Sequence, residues 1–297
     1  DPIYSPALLK NISEVYRKVR NTSRFLLSNL YDFDYKKDSV AVEKMFAIDQ
    51  YALTQLHVFN QTMQSAYKER NVTAAFHAMA DYCSKDLSSF YLDIIKDRLY
   101  VEKSDGIARR SAQTVVYEIL QVLTMTIAPI LSFTAEQIFD HYKKDGQDSI
   151  HLQTFAKTED LDDIVKKLYP SSYQDSWNNF IQIRNGILKA LEVARQEGDV
   201  RHSLDGAVEL YVTPEFMNKD MRDIIMQSGH QDAVSFVKEF CIVSQVTLHT
   251  ESAAGLTEII PGVFVSISKA DGYKCPRCWQ WNKDAAQDGL CMRCKMF

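Results

Sequence analysis

Glycine is scarce, with ten in 297 residues, and none falls in a phosphate-cradling pattern. The chain has no G-x-x-x-x-G-K-[ST] loop, no G-x-G-x-x-G, no H-E-x-x-H and no G-x-S-x-G elbow. Those absences exclude the common nucleotide-binding, zinc-protease and serine-hydrolase sites within this sequence. Long apolar runs are lacking too. The stretch Ile119-Leu120 to Ile130-Leu131 is broken by Gln121, Thr124, Thr126 and Pro129, too interrupted to span a bilayer, and no segment reads as a signal peptide. Positive charge is not in excess, the formal net being −5, which argues against a surface that is basic all over. With 46% hydrophobic and 25% charged residues the chain has ample material for about two globular domains.

Cysteine is rare except at one end. Cys83 and Cys241 stand alone in apolar surroundings and read as buried free thiols, which suits a reducing compartment, the cytoplasm or an organelle matrix. The other four form Cys275-Pro276-Arg277-Cys278 and Cys291-Met292-Arg293-Cys294, two C-x2-C steps with Trp279 to Leu290 between them. Each step can bend into a turn that aims two thiolates at one ion, and the intervening chain is long enough to close a tetrahedron. A single C-x-x-C suits a redox pair, but the second matched pair at ribbon spacing argues against that reading. Hydrolytic zinc keeps an open position for water, whereas four thiolates leave none, so the expectation is one structural Zn2+. Binding should supply the folding free energy of this module, on the order of 10 kcal/mol. The ribbon also carries Lys274, Arg277, Lys283, Arg293 and Lys295 against Asp284 and Asp288, a local net of +3 in an acidic chain.

The first half has helical periodicity. Ile12, Val15, Val19, Leu26 and Leu30 mark one face of an opening helix that ends before Asp32. Further helices are expected near 43–70, near 73–100 through Phe76, Ala80, Cys83, Leu87, Phe90 and Ile94, and near 109–128 ahead of Pro129. Thr134-Ala135-Glu136-Gln137 reads as a capping box for the next helix. After an extended connector over His151 to Lys157 come acidic Glu159 to Asp163, Pro170 and a long helix near 174–197 stopped by Gly198. Then Ala207 to Val212, Ile242 to His249 and Val263 to Ser268 alternate as strands around a helical stretch near 214–240. The expected architecture is mainly α: an antiparallel helix bundle over 1–157, connecting helices over 158–200, a small α+β domain over 201–272 and a C-terminal zinc ribbon over 273–297.

Two features suggest binding. On a helical wheel Arg17, Arg20 and Arg24 fall within a fan of about 60° away from the apolar stripe; they read either as a phosphate-contacting face or as a solvated bundle face with Glu14 as partial counter-charge. Trp279 and Trp281 flank Gln280 just after the second ribbon cysteine, and read either as stacking platforms for an unpaired base or as packing that shields the sulfurs. The acidic pairs Asp162-Asp163 and Asp93 with Asp97 read as solvated surface rather than acid–base partners.

Tyr16-Arg17-Lys18-Val19-Arg20-Asn21-Thr22-Ser23-Arg24-Phe25-Leu26-Leu27 resembles the opening of the anticodon-binding bundle of the isoleucyl-tRNA synthetase family. Asp86 to Tyr100, followed by Arg109-Arg110-Ser111-Ala112-Gln113-Thr114, is similar to the segment that family carries next, and the ribbon with Trp after Cys278 resembles its bacterial-type branch. Departures occur at Leu131-Ser132, where a proline is common, at Phe139, where tryptophan is usual, and at Gln280-Trp281, where histidine often follows. The family's HIGH-like and KMSKS-like motifs are absent, so the resemblance implies a C-terminal piece without catalytic or editing domains. It implies a cytoplasmic, monomeric partner of the isoleucine tRNA anticodon stem-loop, with ATP and Mg2+ used only in the missing catalytic domain and no membrane contact. Arg17, Arg20 and Arg24 are then expected on backbone phosphates, and Arg277, Trp279 and Arg293 near loop bases. The rival expectations are a zinc-ribbon module that binds protein, and an autonomous enzyme with an unrecognised site.

Overall fold

A computed structural model of the chain describes residues 5–142, 148–156, 173–226, 228–251, 255–287 and 289–296. The acidic stretch Glu159 to Asp163 and Pro170 lie outside the described residues. The chain divides into two compact units, the first Asp1–Asp93 with Ser104–Leu168, the second Ile94–Lys103 with Tyr169–Phe297.

In the first unit, α1 (Pro6–Ser28) starts on a proline, whose missing N–H is one the first turn leaves unbonded anyway, and ends where Asn29 donates its amide to Phe25 O at 2.8 Å. α2 (Ala47–Lys68) turns through Arg70, at φ 58°, into α3 (Val72–Asp81), which Asn71 caps by accepting from Ala74 N at 3.0 Å. α3 does not run on as a regular α-helix. Tyr82–Tyr91 widens to a π-helical stretch, in which Ser88 and Ser89 donate to the carbonyls of Cys83 and Ser84, five residues back, at 2.7 Å each. α5 (Ile107–Ile127) and α6 (Ser132–Tyr142) complete the bundle once α4 (Lys96–Val101), a single short helix of the second unit, has been passed.

Val19, Leu26, Ile48, Leu53, Leu56, Met63, Met79, Leu87, Ile119 and Leu123 form the bundle core, each buried side chain contributing about 1.5–3 kcal/mol of transfer free energy. Phe59 and Tyr82 stack with centroids 4.1 Å apart. The Arg109 to Thr114 motif is structural: Arg109 grips Asp32 through two contacts of 2.9 and 3.0 Å, and Gln113 donates to Asn29 O at 2.9 Å, so the loop after α1 is pinned to α5. α6 begins at Ser132, so Thr134 lies inside the helix rather than at its cap, and the expected Thr134–Gln137 capping box does not start it; Glu136 accepts from Ser149 Oγ and Ile150 N.

In the second unit, α7 (Tyr173–Glu197) stops at Gly198, whose φ of 91° suits glycine alone. It packs on a four-stranded sheet of order β2-β1-β4-β3. β1 (Gly206–Val212) runs parallel to β2 (Gln245–His249) and antiparallel to β4 (Val263–Lys269), and β3 (Thr257–Ile260), a strand the sequence pattern did not reveal, lies antiparallel to β4 across a bulge. Gly186 lets α7 approach β3 closely: a Cβ there would meet the Ile259 side chain at 2.5 Å. The parallel β1–β2 crossover contains α8 (Lys219–Met226) and α9 (Ala233–Cys241). Trp177, fully buried, meets Phe180 and Phe240 edge-on in the core.

Candidate metal centre and nucleic-acid interface

β5 (Tyr273–Lys274) and β6 (Trp281–Asn282) pair antiparallel, with Lys274 opposite Trp281, and bring the first cysteine step into a tight knuckle. There Trp279 N donates to Cys275 O at 2.8 Å and Cys275 N to Gln280 O at 2.9 Å. The second step opens α10 (Met292–Lys295) and delivers Cys291 and Cys294 to the same point. All four sulfurs lie within 4.8 Å of one another, and Cys278 and Cys291 are 3.8 Å apart. Metal–sulfur bonds of about 2.3 Å in a tetrahedron require sulfur–sulfur spacings of roughly 3.8 Å, so the donor set fits one ion.

The electrostatics favour a cation as well. Burial raises the Cys275 thiol, but backbone N–H groups of Cys278, Cys291 and Arg277 outweigh it and bring it down to about 6. Burial and the neighbouring Cys291 push Cys294 up to about 11. Four thiols this close cannot all ionise unless a metal ion neutralises them. Cys83 and Cys241, in contrast, are buried and pushed up to about 12 by desolvation, which makes them inert packing residues.

The ribbon residues separate into outward and inward groups. Trp279 is 62% exposed and holds a left-handed backbone, φ 63°, rare for a bulky residue. Trp281 turns inward: its indole Nε1 donates to Asp205 Oδ1 at 2.9 Å, its backbone N to Ser244 Oγ at 2.8 Å, and Lys269 sits 5.1 Å over its ring. Arg277 donates to Cys294 O and to Val101 O, each at 3.2 Å. Arg293 makes a bidentate pair with Asp97, at 2.7 and 2.8 Å. Asp97, read from sequence as solvated surface, is therefore a docking carboxylate on α4. Sequence alone missed it because its partner lies 196 residues away.

On α1, Val19, Thr22, Ser23 and Leu26 face the bundle, and Arg17, Arg20 and Arg24 are exposed on the opposite side. Arg17 pairs with Glu14 at 2.6 Å. Arg20 and Arg24 form no ion pair among the described residues. The face is basic and exposed, and Glu14 offsets one charge of it.

Residues 49–212 match the family described as the anticodon-binding domain of tRNA ligase. The chain belongs to that family, a class of tRNA-binding helical domains, and the reading as a protein-binding ribbon module is not favoured. It is similar to the isoleucine–tRNA ligase of Carboxydothermus hydrogenoformans, 39% identical over 99% of this chain and 30% of the relative. Similar matches are the isoleucine–tRNA ligases of Syntrophotalea carbinolica, 38% identical over 98% of this chain and 30% of the relative, and of Persephonella marina, 37% identical over 97% and 30%. The chain thus spans about 30% of the length of the curated relatives it matches. The arginine face of α1 and the metal ribbon both lie outside the family match at 49–212.

Proposed function

We propose that this chain is the anticodon-recognition portion of an isoleucine–tRNA ligase, an enzyme that activates isoleucine with ATP and transfers it to its tRNA. The observation that carries the reading is the coverage: isoleucine–tRNA ligases match 97–99% of the chain. The partners are the anticodon stem-loop of the isoleucine tRNA and the catalytic and editing domains of the same polypeptide, where ATP and Mg2+ act. The protein works as a monomer in the cytoplasm or an organelle matrix, and no helix among the described residues is long and apolar enough to cross a membrane.

In this reading the helical bundle of the first unit grips the RNA backbone through Arg17, Arg20 and Arg24, whose exposure and shared face support the role. The second unit, with α7 packed on its sheet, carries the ribbon over 273–297. One Zn2+, held by Cys275, Cys278, Cys291 and Cys294, supplies rigidity and no chemistry. Trp279 offers an indole face on which an unstacked loop base can stack, with about 1–3 kcal/mol available per stacked base. Arg277 and Arg293 shape the ribbon beside it while adding positive potential.

The test is binding of the metal-loaded chain to isoleucine tRNA, a non-cognate tRNA and an anticodon-swapped transcript across a salt series. Preference for the isoleucine anticodon, with affinity rising steeply as salt falls, is expected. Equal binding of all three RNAs, or none at low salt, would overturn the reading.

A further inference from the structure

A four-cysteine metal site fixes the internal shape of a ribbon but not its orientation on the domain that bears it. Trp281 ties one end of the ribbon to Asp205 and Ser244, and the cysteine end is held from α4, which belongs to the second unit although the first brackets it in sequence. Val101 of α4, 5% exposed, packs in one apolar cluster with the four cysteines, Ala285 and Leu290, and so seals the metal site. Its carbonyl accepts from Arg277, and Asp97, one turn earlier, takes both Nη groups of Arg293. α4 is itself clamped. Arg98, 3% exposed, forms a bidentate pair with Glu239 of α9, which also accepts from His230 Nε2 at 2.5 Å.

Of the contacts between α4 and the ribbon, the Asp97–Arg293 pair is the one with angular content, because a fork-to-fork guanidinium–carboxylate contact fixes a plane as well as a distance. Arg293 is the residue just before the last cysteine, so that plane orients the cysteine end of the ribbon. The Trp279 indole, exposed and with no side-chain hydrogen bond among the described residues, points wherever the ribbon points. Stacking on a base is intolerant of such reorientation.

We propose that Asp97 is a positioning residue for RNA recognition: by holding Arg293 it aims the Trp279 indole at the anticodon loop. This rests on the reading of Trp279 as a base-contacting residue. Removing the pair leaves the metal, the Val101 seal and the Trp281 bonds to Asp205 and Ser244 in place and loosens the aim of the cysteine end that carries Trp279.

The experiment is a double-mutant cycle on the full metal-loaded chain, with fluorescence anisotropy of a labelled RNA hairpin carrying the isoleucine anticodon as the probe. Asp97→Ala is expected to weaken binding about tenfold with metal content unchanged, Asp97→Glu to recover most of it, and Asp97→Ala to add nothing once Trp279→Ala is present. If Asp97→Ala loses its metal, Arg293→Lys, which keeps the charge but not the fork, replaces it in the same cycle. Equal losses with and without Trp279→Ala overturn the proposal, as does a silent Asp97→Ala beside a harmful Trp279→Ala. A silent Trp279→Ala is a different result: it removes the RNA reading of that indole, and the proposal falls with it.

Discussion

The Trp281 indole donates to Asp205 at 2.9 Å, and that carboxylate, 7% exposed, also accepts from His202 N at 3.0 Å. One side chain thus joins the turn before β1 to the ribbon strand β6. Burial raises the Asp205 carboxyl, but the Trp281, His202 and Lys274 donors outweigh it and hold it below the usual carboxylate range. Asp205→Ala leaves an indole N–H without a partner in a half-buried site, a cost of about 1–3 kcal/mol. The expected result is a lower thermal midpoint and a red-shifted tryptophan emission with metal still bound. Unchanged emission would show that the indole is held by packing alone.

Chelation should act locally. The ribbon core is little more than the four cysteines, Val101, Ala285 and Leu290, too small to fold without an ion. The bundle keeps its own core. Removal of one metal ion per chain is therefore expected to abolish the near-ultraviolet signal of the ribbon tryptophans while far-ultraviolet helical dichroism changes little. Loss of most helical signal would show that metal binding holds up more than the ribbon.

How much of this was legible in the sequence depended on the range of the interaction. The C-x2-C steps, the α1 stripe and the Gly198 stop are local patterns, and the quartet, α1 and the end of α7 appear where those patterns put them. The π-helical stretch at Tyr82–Tyr91 escaped, because apolar spacings of three and four fit a normal helix equally well and the widening is fixed by Ser88 and Ser89 side chains. The short strand β3 is partly covered by α7, so it shows little alternation. Thr134 read as a cap because T-x-x-Q is a local cap pattern, whereas the helix already starts two residues earlier, at Ser132. Asp97 and Asp205 are docking residues whose partners come from the far end of the chain, and no spacing rule reaches that distance.

Glu239 makes stability depend on acid. Burial raises its carboxyl, yet Arg98 and His230 outweigh that and bring it down to about 2. An unfolded glutamate titrates near ~4.3. A group whose folded value is depressed contributes its stability above the unfolded value and loses it as the pH falls through the folded one. The contribution is therefore full above about pH 4.3 and fades towards about pH 2, and is of order 3 kcal/mol. Glu239→Gln should be less stable than the native chain at neutral pH, with a gap in urea unfolding free energy that closes over this window. Thiol protonation is common to both proteins and cancels in the difference. A gap of constant size at pH 5 and pH 2 would remove the assignment.

Trp279 sits where a glycine would be comfortable. Its φ of 63° is left-handed, and a side chain there costs about 1 kcal/mol through the clash of Cβ with the following carbonyl oxygen. The indole recovers little of that by packing, since 62% of the residue is exposed. A strained, exposed aromatic is better explained by what it contacts than by what it stabilises. Trp279→Gly is thus expected to leave the thermal midpoint of the metal-loaded chain unchanged or a few degrees higher, and to weaken RNA hairpin binding about tenfold. Trp279→Phe keeps an aromatic face at the same backbone cost and should retain most of the affinity. Loss of stability in Trp279→Gly together with unaltered RNA binding would make the indole a packing residue, and the basic face of α1 would then carry the contact with RNA by itself.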